Sequence, residues 1–323
     1  MKQWIKRIPA ALAALGLLLT LCACGAEKTI VLVISGAELD REIYTYFLDR
    51  VSARPTDYGL EEKPSDAALL DAVTLECKRY VANNTRFRDA GLTLSASEKA
   101  EIAQQVNNLW LRAERHYRAI GVSKQTLTKA ITAESNADAL FTATYDKGVM
   151  DQAGEAELLK YFYANYISFR TVVAYYTAAD GSPLTQLQKN TIKEAFDKMA
   201  ANAGESVDSF REAAAEAGYG LSETILLKQG ADGYPDGFYA AVAAQENGTV
   251  RVLDYEDCVF AVLKEDLESK DESVYASYRS ACVSELYAPQ AAREMDAFLA
   301  ELTVEKTKDP ARLLREYRKA IKA

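Results

Sequence analysis

Between Ser168 and Thr177 almost every residue is β-branched or aromatic (Ser-Phe-Arg-Thr-Val-Val-Ala-Tyr-Tyr-Thr). A run like this lacks the polar alternation of a half-exposed strand, so it predicts a strand buried on both faces. Asp180-Gly-Ser-Pro183 turns the chain after it. Thr185–Ala203 is built of good helix formers, with Ile192, Phe196 and Met199 on one stripe and Gly204 at the close. Ser206–Ala217 predicts a second helix with Phe210 and Ala214 inward. Leu221–Leu227 reads as a strand, and Pro235–Gln245 as a short helix stopped at Asn247-Gly248. Thr249–Leu253 and Cys258–Leu263 are two further strands around an acidic turn. Residues Glu155–Asp266 are thus expected to form a compact α/β unit in the order strand, two helices, strand, helix, strand, strand.

The rest of the chain reads as helical. Thr29–Ser35 is a short apolar strand, and Gly36 is expected to lead from it into a helix, Leu39–Val51, with Ile43, Phe47 and Val51 aligned. Arg54–Pro64 is a loop. Long helices follow over Asp66–Ala90, Ser95–Ile120 and Ser123–Lys147, each ending at a glycine. The second opens on a capping box, Ser95-Ala-Ser-Glu98, and carries Ile102, Val106, Leu109, Ala113, Tyr117 and Ile120 at heptad-like spacing. Gly154–Tyr166 is a fourth helix. Glu272–Glu301, with Pro289 inside it, and the charged Pro310–Lys322 close the chain. The expected fold class is α+β. Residues 24–153 form a helical domain, 154–267 the inserted α/β domain, and 268–323 C-terminal helices that return to the first domain.

The N-terminus has the character of an export signal. Lys2, Lys6 and Arg7 precede an uncharged apolar run from Ile8 to Leu21, about 14 residues where a membrane span needs roughly 20. It ends Leu21-Cys22-Ala23-Cys24-Gly25, which is similar to the lipobox of bacterial lipoproteins. That resemblance implies cleavage after residue 23 and lipid attachment at Cys24. Cleavage removes three of 38 basic residues and none of the 47 acidic ones, moving the net charge from −9 to −12. Such a chain repels phosphate, which argues against nucleic acid as a partner. Cys77, Cys258 and Cys282 stand at wide spacings, giving neither a disulfide framework nor a metal site. The one histidine, His116, has no ligand-type neighbour at metal spacing and reads as structural. No cofactor or metal is expected.

The order of the α/β unit resembles the parvulin-type peptidyl-prolyl isomerase domain. Phe238 opens a short helix, Ala241 follows, and Gly248 stands ten residues on, as in that family; Asp208-Ser-Phe210-Arg-Glu-Ala-Ala-Ala is similar to its "acidic, x, Phe" helix start. The opening strand and glycine at Thr29–Gly36, ahead of a helical half, resemble PrsA-type foldases and the chaperone SurA. The resemblance implies a site on this unit. It places a first-strand position at Ala174 or Tyr175 and a last-strand position at Cys258, where parvulins have histidines. The segment Gly218-Tyr219-Gly220 offers neither the Cys nor the Asp expected between them. Tyr175, Tyr234 and Phe238 remain to line a proline groove, and Cys258 is the one candidate for residual chemistry. The twisted amide must be favoured over the planar one by polar groups, so the expectation is a retained fold with little or no activity.

The reading that follows is a lipoprotein on the outer face of a bacterial membrane, holding unfolded exported polypeptides, with a homodimer open as its state. The alternatives are an active isomerase with a rewired site, a non-catalytic envelope assembly protein and a solute-binding lipoprotein. The last would need two α/β lobes around a cleft, and the sequence holds one.

Overall fold

The structure is a computed structural model that describes residues 29–147, 152–204, 206–270 and 272–322. The expected signal at 1–23 and the expected lipid acceptor Cys24 lie outside the described residues. The chain divides into two compact units, one of residues 1–148 with 289–323, the other of residues 149–288.

In the helical unit, β1 (Ile30–Ile34) pairs antiparallel with β2 (Ala37–Asp40) on one side and with β7 (Val304–Lys306) on the other. The expectation that Gly36 leads directly into a helix is corrected here. Ser35 and Gly36 both have positive φ, 46° and 85°, which makes the two-residue primed turn that returns a hairpin. The helix α1 (Arg41–Ala53) starts only after β2, capped by Asp40, whose side chain accepts from the Ile43 N–H. Helices α2 (Asp66–Asp89), α3 (Ala96–Ala119) and α4 (Lys124–Phe141) follow; α4 continues as one wider turn over residues 142–147. Ser95 and Glu98 form the expected capping box. The core joins Leu32, Tyr44, Leu48, Val73, Cys77 and Leu127, all fully buried, with Leu313, Leu314 and Tyr317 of α10 (Pro310–Ala320).

The second unit carries a four-stranded antiparallel sheet in the order β4-β3-β6-β5, made of β3 (Tyr166–Tyr175), β4 (Ile225–Lys228), β5 (Val250–Asp254) and β6 (Cys258–Glu265). Helix α5 (Gln152–Asn165) precedes it. As its composition predicts, β3 is covered on both sides. Val172 and Tyr176 pack with Phe196 and Met199 of α6 (Gln186–Asn202) and Phe210 of α7 (Val207–Glu216). Ile167 and Phe169 pack with Phe238 and Val242 of α8 (Phe238–Ala243) on the other face.

Two boundaries differ from the expectation for physical reasons. Helix α8 begins at Phe238, not Pro235, because Gly237 sits in the left-handed region (φ 79°) and breaks the right-handed path. Strand β4 begins at Ile225, not Leu221, because the Ser222 hydroxyl accepts the Thr171 N–H at 2.9 Å in place of a ladder carbonyl. Helix α9 runs from Glu272 to Glu301 through Pro289. Its first half packs in the second unit, where Tyr275 and Tyr278 meet Phe162 at ring distances of 5.5 and 6.0 Å and Arg279 pairs with Glu155. The boundary between units therefore falls inside this helix at Pro289 and not at the expected residue 268.

Candidate functional site

Strand pairing brings the two positions of interest together. Tyr175 on β3 stands directly opposite Cys258 on β6, and Val173 opposite Phe260. Residues opposite one another in an antiparallel pair share a face, so Tyr175 and Cys258 belong with the side covered by α8. Ala174 pairs with Val259 and packs with the α6 and α7 core instead. Of the two candidates for the first-strand position, Tyr175 is the one that meets Cys258.

The face they share is aromatic. Tyr234 stacks on Phe238 with ring centroids 4.5 Å apart, Phe260 meets Phe238 edge-on at 4.9 Å, and Phe169 lies 5.4 Å from it. Tyr255 closes the cluster, edge-on to Phe260 at 6.1 Å. Phe238 is 0% exposed, Tyr234 is half-buried and Tyr175 is 66% exposed. The three residues expected to line a groove thus occupy three depths. Phe238 is core, Tyr234 is the layer above it, and only Tyr175 presents a ring to solvent.

The electrostatics of this face are those of neutral groups. Burial pushes the Cys258 thiol up, and the carboxylates of Asp257 and Asp254 push it further, so the thiol stays protonated at neutral pH. Burial, and after it the neighbouring phenol of Tyr175, raises the Tyr234 hydroxyl. Neither side chain is ionised at pH 7, so the face offers a thiol and phenols as weak, uncharged hydrogen-bonding groups. Charged pairs occur on the opposite face. Asp254 accepts from the Tyr176 hydroxyl at 2.6 Å and from Lys193 at 2.7 Å. Further along, Glu265 accepts from Arg170 (3.1 Å) and Ser168 (3.1 Å), with Lys270 at 3.0 Å.

The helical unit contributes features that sequence reasoning did not find. A cleft of about 520 Å³ is lined by Phe87, Leu92, Ile102 and Ala139, with Glu98, Glu101 and Asp138 beside them. A second, of about 390 Å³, runs along the other side of α3 past Val106, Leu94 and Thr128. Ile102 reaches both clefts, because α3 gives only a narrow stripe to the core and leaves the residues flanking it open. His116 is half-exposed, and its partner is Asp49 on α1, with Nε2 2.8 Å from the carboxylate. That carboxylate also accepts from Tyr317 on α10 at 2.8 Å. A contact between residues 67 apart leaves no local signal.

No family model matches the chain, and no curated protein matches it. Over most of its length the chain is similar to solved PrsA- and SurA-type foldases. The foldase protein PrsA of Streptococcus pneumoniae is 13% identical with a TM-score of 0.38, over 87% of this chain and 97% of that one. The PrsA of Lactococcus lactis is 12% identical with a TM-score of 0.40, over 90% and 99%. A SurA-like chaperone structure from Campylobacter jejuni is 11% identical with a TM-score of 0.31, over 86% and 99%. At these scores the likeness is one of outline and assigns no residue a role. Among the described residues no helix is long and apolar enough to cross a membrane.

Proposed function

We propose that this protein is an extracytoplasmic folding factor, anchored through a lipid on Cys24, that holds unfolded exported polypeptides and has a parvulin-like unit with little or no isomerase activity. The observation that carries the reading is the pairing of Tyr175 with Cys258. An α/β frame with both sheet faces covered is intact, while the paired positions on its aromatic face hold a phenol and a neutral thiol. Prolyl isomerisation needs groups that bind the twisted amide better than the planar one. An aromatic face with uncharged polar groups binds apolar segments in either state.

Holding a client needs open apolar surface rather than chemistry, and the clefts along α3 and the exposed ring of Tyr175 supply it. The acidic rim of the larger cleft favours client segments that mix apolar and basic residues.

The test is aggregation of several unrelated unfolded proteins in the presence of a severalfold excess of this one. Suppression in proportion to the amount added is the expected result; no suppression of any client would overturn the holdase reading and leave an assembly role. Cell fractionation of Cys24→Ala tests the anchor separately. The variant is expected in the soluble extracytoplasmic fraction once membranes are washed at about 0.5 M salt, and its retention in the membrane after that wash and after signal cleavage would overturn the lipoprotein reading.

A further inference from the structure

The C-terminal segment reverses the charge of the rest of the chain. From Lys306 to Lys322 seven Lys and Arg stand against two acids, Asp309 and Glu316, in a protein of net charge −9. Helix α10 buries Leu313, Leu314 and Tyr317 on one side. Its other side carries Arg312, Arg315 and Lys319, at spacings of three and four residues, which align them on a single stripe, and Lys322 stands in the turn just past the helix end. All four are exposed, as are Lys306 and Lys308 just before the helix. Arg312 is within 2.8 Å of Glu316 and Arg315 within 3.8 Å of Asp309. The four lysines form no ion pair among the described residues.

This stripe lies beside the first of the described residues. The Thr307 hydroxyl donates to the Ile30 carbonyl at 2.6 Å, and its N–H to Val31 at 3.0 Å. On the helix itself, Glu316 pairs with Arg41 at 3.0 Å, and the Arg41 N–H donates to the Thr29 carbonyl at 2.9 Å. Five residue steps separate Cys24 from Thr29, a reach of roughly 18 Å at full extension. A lipid on Cys24 would therefore hold Thr29, and with it the basic stripe, close to a membrane surface.

We propose that the outer face of α10, with Lys306 and Lys308, docks on the anionic phospholipid headgroups of the membrane to which the chain is anchored. The placement of the stripe at that membrane rests on the lipid-anchor reading above, whereas its affinity for anionic headgroups does not. Each Lys or Arg near an anionic surface adds to the attraction, and a lipid chain plus a basic patch act as two signals where one alone binds reversibly. The partners on the helix, Asp309 and Glu316, are too few to neutralise it. Docking would fix how the helical unit stands on the membrane.

The test uses the chain from Gly25 to Ala323, which keeps every core residue of both units and lacks both the apolar leader and the lipid acceptor. It is mixed with vesicles of pure phosphatidylcholine or of phosphatidylcholine with phosphatidylglycerol, and the bound fraction is read by sedimentation. Binding to the anionic vesicles alone is expected, lost as salt rises to about 0.5 M. The combined variant Arg312→Gln, Arg315→Gln, Lys319→Gln and Lys322→Gln should bind at least about tenfold more weakly. Lysine in place of Arg312 and Arg315 should keep binding. So should removing four positive charges elsewhere, as Lys99→Gln, Arg112→Gln, Arg115→Gln and Lys124→Gln. Equal binding to neutral vesicles, or no loss in the α10 variant, would overturn the proposal, as would binding to heparin with none to vesicles. Because this chain cannot be lipidated, a failure here is separate from a failure of the Cys24→Ala experiment.

Discussion

Tyr175 and Cys258 face each other across β3 and β6, one 66% exposed and the other 5% exposed. Each tenfold gain in the rate of prolyl isomerisation takes about 1.4 kcal/mol of preferential binding to the twisted amide. A phenol beside a neutral buried thiol supplies little of that. A protease-coupled assay on a Xaa-Pro peptide is expected to run close to the spontaneous rate, and Cys258→Ala should not change it. Strong acceleration that Cys258→Ala or Tyr234→Ala abolishes would establish a rewired isomerase instead.

The three aromatic residues of this face should separate in their effects. Phe238 is fully buried and touches Phe169, Tyr234 and Phe260, so Phe238→Ala should destabilise the α/β unit by about 3–5 kcal/mol. Tyr175→Ala removes an exposed ring and should leave stability within about 0.5 kcal/mol. Its effect should appear in client capture, measured as the excess of protein needed to suppress aggregation. If Tyr175→Ala unfolds the unit, the ring is structural and its role in capture falls away.

Much of the fold was legible because its signals are local. The two-sided burial of β3 follows from Val172 and Val173 being adjacent and both apolar, and the start of α3 follows from Ser95 and Glu98 three residues apart. What stayed hidden depends on distant pairing. Strand β7 is three residues long and is a strand only because β1 lies alongside it, from Leu32 opposite Lys306 to Ile34 opposite Val304. The hairpin to β2 was signalled by Ser35-Gly36, a turn dipeptide that also suits a strand-to-helix passage. For the site, residue type was readable and depth was not. Phe238 and Tyr234 are both aromatic near a helix start, and only the packed sheet decides which is core.

Glu265 should make the α/β unit sensitive to acid. Burial alone would raise its carboxyl, but hydrogen bonds from Lys270 and then Arg170 outweigh it and hold the group below its ordinary value of 4.5. A carboxyl depressed in the folded state releases its proton more readily than in the unfolded chain. Its stabilisation is therefore complete above about pH 4.5 and is lost as pH falls through the lower folded value. Denaturant unfolding of the wild type should show that loss below about pH 4.5. Glu265→Gln should cost about 3 kcal/mol at pH 7, because Arg170, largely shielded from solvent, is left with only the solvent-exposed Glu223 carboxylate at 3.4 Å as counter-charge, and should flatten the acid dependence. A Gln variant as acid-sensitive as the wild type would move the origin of the effect elsewhere.

The last prediction concerns how the C-terminal helix is held. Asp49 on α1 is 9% exposed and accepts at one oxygen from both His116 on α3 and Tyr317 on α10, each at 2.8 Å. Asp49→Ala removes the shared acceptor and leaves the buried Tyr317 hydroxyl without it, a cost of about 1–3 kcal/mol. Tyr317→Phe removes only the donor, and Asp49 keeps His116, so about 1 kcal/mol is expected. The double variant removes the stranded hydroxyl along with its acceptor. It should therefore cost less than the two single changes added together, with the difference giving the coupling between α1 and α10. Chemical denaturation of the four proteins measures it. Simple additivity would mean that the two side chains do not depend on each other, and that α10 is held by its buried Leu313, Leu314 and Tyr317 ring and by the ion pairs of Glu316 and Arg318.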